Sequence, residues 1–223
     1  MGTAYQRARS PEQKAERTEQ ILTAAEAMLA EGQAVSSLSL NELARRAGMA
    51  KSNVYRYFES REAVLLALLA ERTEGWAIDM VERLSGIDQR RLWGHRLEIL
   101  AETLATGVSD RPIMCHLMSV LPSVLEHNVS AGAVRAYKTA SIELIGRMAL
   151  AMHQAVPELT VEDHGELLHH AFAFIVGSWP LAHPAPVAAE VLQDSELAPF
   201  RHDFARDLTR VVTLMGRGML DGA

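Results

Sequence analysis

Cysteine is nearly absent from this chain: Cys115 stands alone in 223 residues. No disulfide can close within it, which points to a reducing compartment. Long apolar runs are also missing; none approaches the roughly 20 residues that a membrane helix needs. The N-terminus, Met1 to Lys14, is polar and carries no apolar stretch of signal-peptide type, so a cytoplasmic chain with no membrane partner is expected. No fixed-period repeat and no alternating strand pattern is present. G-x-S-x-G, P-loop and H-E-x-x-H strings are lacking as well. No enzyme and no cofactor are therefore expected. Positive charge is the minority sign, with 22 Lys and Arg against 28 Asp and Glu for a net −6. That excludes a whole-surface polyanion binder, because phosphate affinity comes largely from cations that release counterions.

What is present is helical spacing. Ile21, Leu22, Ala25, Met28 and Leu29 form one stripe, opened by Ser10-Pro11-Glu12-Gln13 and closed at Gly32. Ser39-Leu40-Asn41-Glu42 starts a short helix ending near Ala47-Gly48, and a third short helix covers about Lys51 to Phe58. Ser60 caps a long helix through Val64, Leu68, Trp76 and Leu84. Further helices follow around Leu97 to Val108, Ile113 to Leu121, Val134 to Val156, Thr160 to Trp179, and Phe200 to Met219. Pro180, Pro184 and Pro186 exclude continuous helix between the last two. The reading is an all-α fold of about nine helices, divided into a head at 1–60 and a body at 61–223.

The two short helices joined at Gly48 read as a helix-turn-helix, whose second helix enters the major groove while the first crosses the backbone. From Asn41 to Arg61 there are five basic residues (Arg45, Arg46, Lys51, Arg56, Arg61) and two acids (Glu42, Glu59), a local balance of +3. Tyr55 and Tyr57 interleave with the cations, and Ser52 and Asn53 are short polar groups able to reach phosphate or base edges. Over residues 1–61 the balance is nine basic to seven acidic; the remaining 162 residues hold thirteen and twenty-one. The net charge is thus a polarity, a mildly basic head on an acidic body, which disfavours wrong orientations on DNA.

The string from Leu40 to Leu65, with Ala47-Gly48, Tyr55-Arg56-Tyr57-Phe58 and Ser60-Arg61-Glu62-Ala63-Val64-Leu65, resembles the DNA-binding signature of TetR-family (tetracycline-repressor-like) transcriptional regulators. The likeness covers roughly the first 70 residues. It implies a recognition helix carrying Lys51, Ser52, Asn53, Tyr55 and Arg56, with Tyr57 near its end touching phosphate. Ser39 and Asn41 would contact backbone or a neighbouring base. Arg61 occupies the family's phosphate-binding lysine position. Two departures stand out: Ala50 replaces the usual Ser or Thr cap, and Arg61 offers a bidentate fork in place of a point contact.

The resemblance also implies an inducer pocket in the body and a homodimer built by the last two long helices. Trp76, Met80, Trp93, Met114, Met118, Tyr137, Met148 and Met152 suit a pliable pocket for a small, largely apolar effector. Phe172, Ile175, Trp179, Phe204, Leu208, Val211 and Met215 are candidates for the dimer seam. All of these are also ordinary core residues by type.

Nine histidines raise a metal reading. Glu166 and His170 share a helix face, but they give two ligands by spacing where zinc takes three or four. Cys115 and His116 point about 100° apart on a helix and do not form a dyad. The expected function is a ligand-responsive, homodimeric regulator, most often a repressor in this family, on a roughly palindromic double-stranded operator. The alternatives are an all-α small-molecule binder without a DNA role, or a metal-dependent helical enzyme.

Overall fold

Capping chemistry sets most of the helix starts. Ser39, Ser60, Ser130 and Thr160 each accept a hydrogen bond from the backbone N–H three residues on, and Asp163 returns one to Thr160 in a full capping box. The computed structural model describes residues 11–221, so the expected cap Ser10 lies outside them. Among the described residues every regular element is helical: α1 (Pro11–Ala30), α2 (Leu40–Arg46), α3 (Lys51–Val54), α4 (Arg61–Ser85), α5 (Trp93–Ser109), α6 (Pro112–Val120), α7 (Ala131–Ala155), α8 (Val161–Ala182), α9 (Pro186–Val191) and α10 (Phe204–Asp221). No helix among them is long and apolar enough to cross a membrane.

The departures from the expected nine helices have local causes. The additional helix, α9, places Pro186 at its start, where a missing N–H is harmless. α8 runs through Pro180 to Ala182 rather than stopping before it; so close to the helix end, proline interrupts only the last turn. α3 is a single turn, after which Arg56 and Tyr57 bond back only three residues, to Asn53 and Val54. Past α6, Pro122 lacks a donor and the chain widens into a π-type turn over Leu121–Leu125, closed by Glu126 N–H on Leu121 O at 3.2 Å.

α4 is the axis of the molecule. Its 25 residues span roughly 37 Å. Near its start Val64, Leu65, Leu68 and Leu69 are buried with Ile21, Leu43 and Val54 of the head. Farther along, Trp76, Ala77, Met80 and Leu84 enter the body. α7 lies beside α4 and α8, and α10 packs on α5 and α8. Glycine permits the close approach of α10 to α5: a Cβ at Gly216 would lie 2.8 Å from Leu97 Cδ1.

Candidate nucleic-acid interface and ligand cavity

The turn between α2 and α3 depends on Gly48, which takes φ +65°, a left-handed conformation that side chains disfavour. It orients α3 so that Val54 and Phe58 are buried while Lys51, Ser52, Tyr55 and Arg56 are exposed. Lys51 Nζ sits 5.6 Å from the Tyr55 ring centroid, a cation–π contact that leaves both groups facing outward. Tyr55 is 50% exposed, unusual for an aromatic that had a core available. Asn53 and Tyr57 are half-buried, and Asn41 is exposed at the start of α2. Ala50 supplies no side-chain cap to α3. The Ser39 hydroxyl is engaged at home: it caps α2 through Glu42 N–H and lies 3.2 Å from Glu42 Oε2. Arg46 pairs with Glu31, whereas Arg45 is exposed.

Arg61, the expected phosphate fork, makes three hydrogen bonds within the chain. Its Nη1 donates to the carbonyls of Ser36 at 2.6 Å and Leu38 at 2.9 Å, and its Nε donates to Glu62 Oε1 at 2.9 Å. The guanidinium ties α4 to the segment that enters α2. Two carboxylates beside it reach into the body: Glu62 Oε1 accepts from Asn128 Nδ2 at 3.3 Å, and Glu59 Oε1 accepts from Ser130 N–H at 2.5 Å. Sequence reasoning missed both acids, because their partners lie more than sixty residues away.

Burial alone would raise the Glu62 carboxyl pKa. Hydrogen bonds from Arg61, its own backbone and Asn128, with the Arg61 charge, outweigh that and hold it below the usual value. A depressed carboxylate contributes stability that is fully present above its unfolded pKa and is lost as pH falls through the folded one. The unfolding free energy of the wild type should therefore exceed that of Glu62→Gln at neutral pH, with the gap closing below about pH 4. A gap constant from pH 7 to pH 3 would contradict this linkage.

In the body, α4, α5, α6, α7, α8 and α10 enclose a cavity of about 390 Å³. Four of the eight expected residues line it: Trp76, Met118, Tyr137 and Met148. The other four do not. Met80, Met114 and Met152 are core side chains with no more than 1% exposure, and Trp93 sits 38% exposed at the start of α5. The wall is completed by aliphatic residues that type alone did not single out, among them Leu104, Val108, Leu121 and Ile145. One signal was available: Tyr137, Ser141, Leu144 and Met148 recur at helical spacing on one face of α7.

Most of the residues expected at the dimer seam are packed within their own chain. Phe172, Ile175 and Leu208 line the cavity, and Ile175, Trp179, Phe204 and Leu208 are 5% exposed or less within the protomer. Trp179 packs edge-on against Phe204 at 4.9 Å and stacks on His183 at 3.7 Å. On α10 the register is offset by one: Val212 is buried, while Val211 and Met215 are half-buried. The outward apolar residues on these two helices are Val161, Leu181 and Leu214.

The histidines are dispersed. His170 Nε2 lies 3.3 Å from Glu166 Oε1, but no three His, Cys, Asp or Glu groups converge as a metal site among the described residues. His153 and His164 instead meet carbonyls of the α7–α8 turn, at Leu159 and Val156. Burial pushes the Cys115 thiol up to about 12, leaving it protonated and unreactive.

Residues 70–223 match the family model described as Tetracyclin repressor-like, C-terminal domain, and residues 21–68 match that of Bacterial regulatory proteins, tetR family. An uncharacterized HTH-type transcriptional regulator of Mycobacterium tuberculosis is 30% identical over 113 residues, 51% of this chain and 52% of that protein. The chain thus spans about half the length of the curated relatives it matches. A TetR-family regulator from Mesorhizobium loti superposes with a TM-score of 0.55 at 17% identity, covering 93% of this chain and 96% of that one. The fatty acid degradation regulator FadR from Bacillus halodurans gives 0.53 at 15% identity, covering 94% and 96%. At such identities the likeness is one of fold.

Proposed function

Because the chain belongs to the TetR family, we propose that it is a cytoplasmic, DNA-binding transcriptional regulator, a repressor released from its operator by a small, largely apolar molecule. The observation that carries this reading is the outward set on α3 and the turn that follows it: Lys51, Ser52, Tyr55 and Arg56 stand exposed while Val54 and Phe58 anchor the segment from behind. Asn53 and Tyr57 flank that set, Asn41 and Ser39 border it on α2, and Arg45 adds a cation. Arg61 tethers the start of α4 to the segment entering α2 and is the further phosphate contact that the resemblance implies. No catalytic step and no cofactor are assigned.

The head at 1–60 reads the operator and the body at 61–223 holds the effector. α4 connects them, starting at Arg61 and passing the cavity at Thr73 and Trp76. A homodimer formed through the outer faces of α8 and α10 would set two α3 helices about 34–36 Å apart, one turn of DNA. Effector binding weakens operator binding only if the two ligands favour different arrangements of head and body.

Retardation of genomic fragments at varied salt tests the reading. A dimer making about six to eight phosphate contacts should give a log–log slope of roughly −5 to −7. Failure to retard any fragment, or an affinity independent of salt, would remove the DNA role.

A further inference from the structure

The cavity is electrically lopsided. None of its lining residues carries a carboxylate, and its two cation-forming side chains, Lys138 on α7 and His169 on α8, are both exposed, which places them at its mouth. Of the deeper polar groups, Thr73 Oγ1 donates to Leu69 O and Ser141 Oγ donates to Tyr137 O, each at 2.9 Å, while the indole N–H of Trp76 is buried without a partner. An apolar body is accommodated inside, and the charge-bearing side chains among the lining residues are Lys138 and His169.

Lys138 has two neighbours, the Glu126 carboxylate and the Tyr137 ring, whose centroid lies 5.9 Å from Nζ. Its Nζ lies 2.6 Å from Glu126 Oε1, yet that oxygen is buried and makes no aligned hydrogen bond. The lysine side chain is 53% exposed, so its ammonium can be reached from the cavity mouth as well as from Glu126. A ligand anion arriving from the cavity side can offer Lys138 an aligned, charge-assisted hydrogen bond that Glu126 does not.

We propose that the cavity binds an amphipathic monoanion, an aliphatic or aromatic body with one carboxylate-type head, and that the head takes Lys138 away from Glu126. The consequence for DNA rests on the regulator reading above. Glu126 follows the π-type turn, two residues before Asn128 and four before Ser130, the two groups that hold Glu62 at the start of α4 and Glu59 of the head. Leu121, at the start of the same turn, lines the cavity. The ligand's body and head thus act on both ends of one short segment that grips the head.

Calorimetric titration of the full chain without DNA tests the ligand class, with decanoate, decan-1-ol and decyltrimethylammonium as probes. Decanoate should bind at least ten-fold more tightly than either of the others, since a hydrogen bond to a charged group is worth about one to two decades of affinity. Lys138→Met should erase that preference and leave decanol binding within two-fold. Glu126→Gln, which removes the competing anion, should tighten decanoate several-fold. Circular dichroism should report unchanged helix content in both variants. Equal binding of decanol and decanoate, a preference that survives Lys138→Met, or no binding of any probe would each overturn the proposal. Absence of DNA retardation would sink the regulator reading and leave this result intact, so the two failures are distinguishable.

Discussion

Tyr55→Ala combined with Arg56→Ala is expected to weaken operator binding roughly a hundred-fold or more, with the fold retained. Each exposed contact on a recognition helix is worth about 1–3 kcal/mol, and a decade of affinity corresponds to about 1.4 kcal/mol. Stability should change little, because both side chains are exposed while the anchors of the short helix, Val54 and Phe58, are untouched; surface changes of this kind stay near ±0.5 kcal/mol. Loss of the Arg56 cation should also make the salt slope shallower by about one unit for each phosphate contact removed. Fluorescence anisotropy with a labelled fragment measures the affinity, and circular dichroism the helix content. Affinity within three-fold of wild type would mean that α3 is not the reading surface.

Ala171→Trp is expected to abolish ligand binding while leaving DNA binding unchanged. Ala171 lies on α8 in the cavity wall and is 8% exposed. An indole there grows into the void of about 390 Å³, so the overpacking of about 1–3 kcal/mol usual for a filled core does not arise. New dispersion contacts with the aliphatic wall should leave the melting temperature unchanged or higher. Binding of 1-anilinonaphthalene-8-sulfonate, followed by its fluorescence, should fall at least ten-fold. Operator affinity should persist and become insensitive to effector. Undiminished probe binding would place the ligand site elsewhere.

Local signals carried the head. Ser39 and Ser60 with their partners three residues on, Gly48 between two short stripes, and alternating cations and tyrosines are all decided within about twenty residues of chain. A short helix can be placed from such signals because caps and turns act on the adjacent backbone. The same locality hides the partners that Arg61 finds within the chain. Its type suits phosphate, but the carbonyls of Ser36 and Leu38 and the carboxylate of Glu62 are better placed to take its donors. Nothing in the order of residues announces that those carbonyls turn towards it.

In the body, apolar residues recur on every helix, and burial in a cavity wall, in a core or in an interface asks for the same side-chain types. Met80 and Met118 are indistinguishable by type, yet one is enclosed in the core and the other meets the void. Trp179 has the type of an interface aromatic, and within its own chain it stacks on His183 and meets Phe204 edge-on.

The amino-acid sequence by itself determined the all-helical class, the helix-turn-helix with its outward cations, and the polarity of charge between head and body, because periodicity, capping and composition act over short stretches. Tertiary structure alone decided which apolar stripes close on one another and which leave a cavity, and which charges find partners. Lys138 beside Glu126, Glu62 beside Asn128 and Glu59 beside Ser130 are pairings made by packing α7 and its preceding loop along α4. Such contacts depend on how whole helices cross, a property that no single stretch of chain encodes.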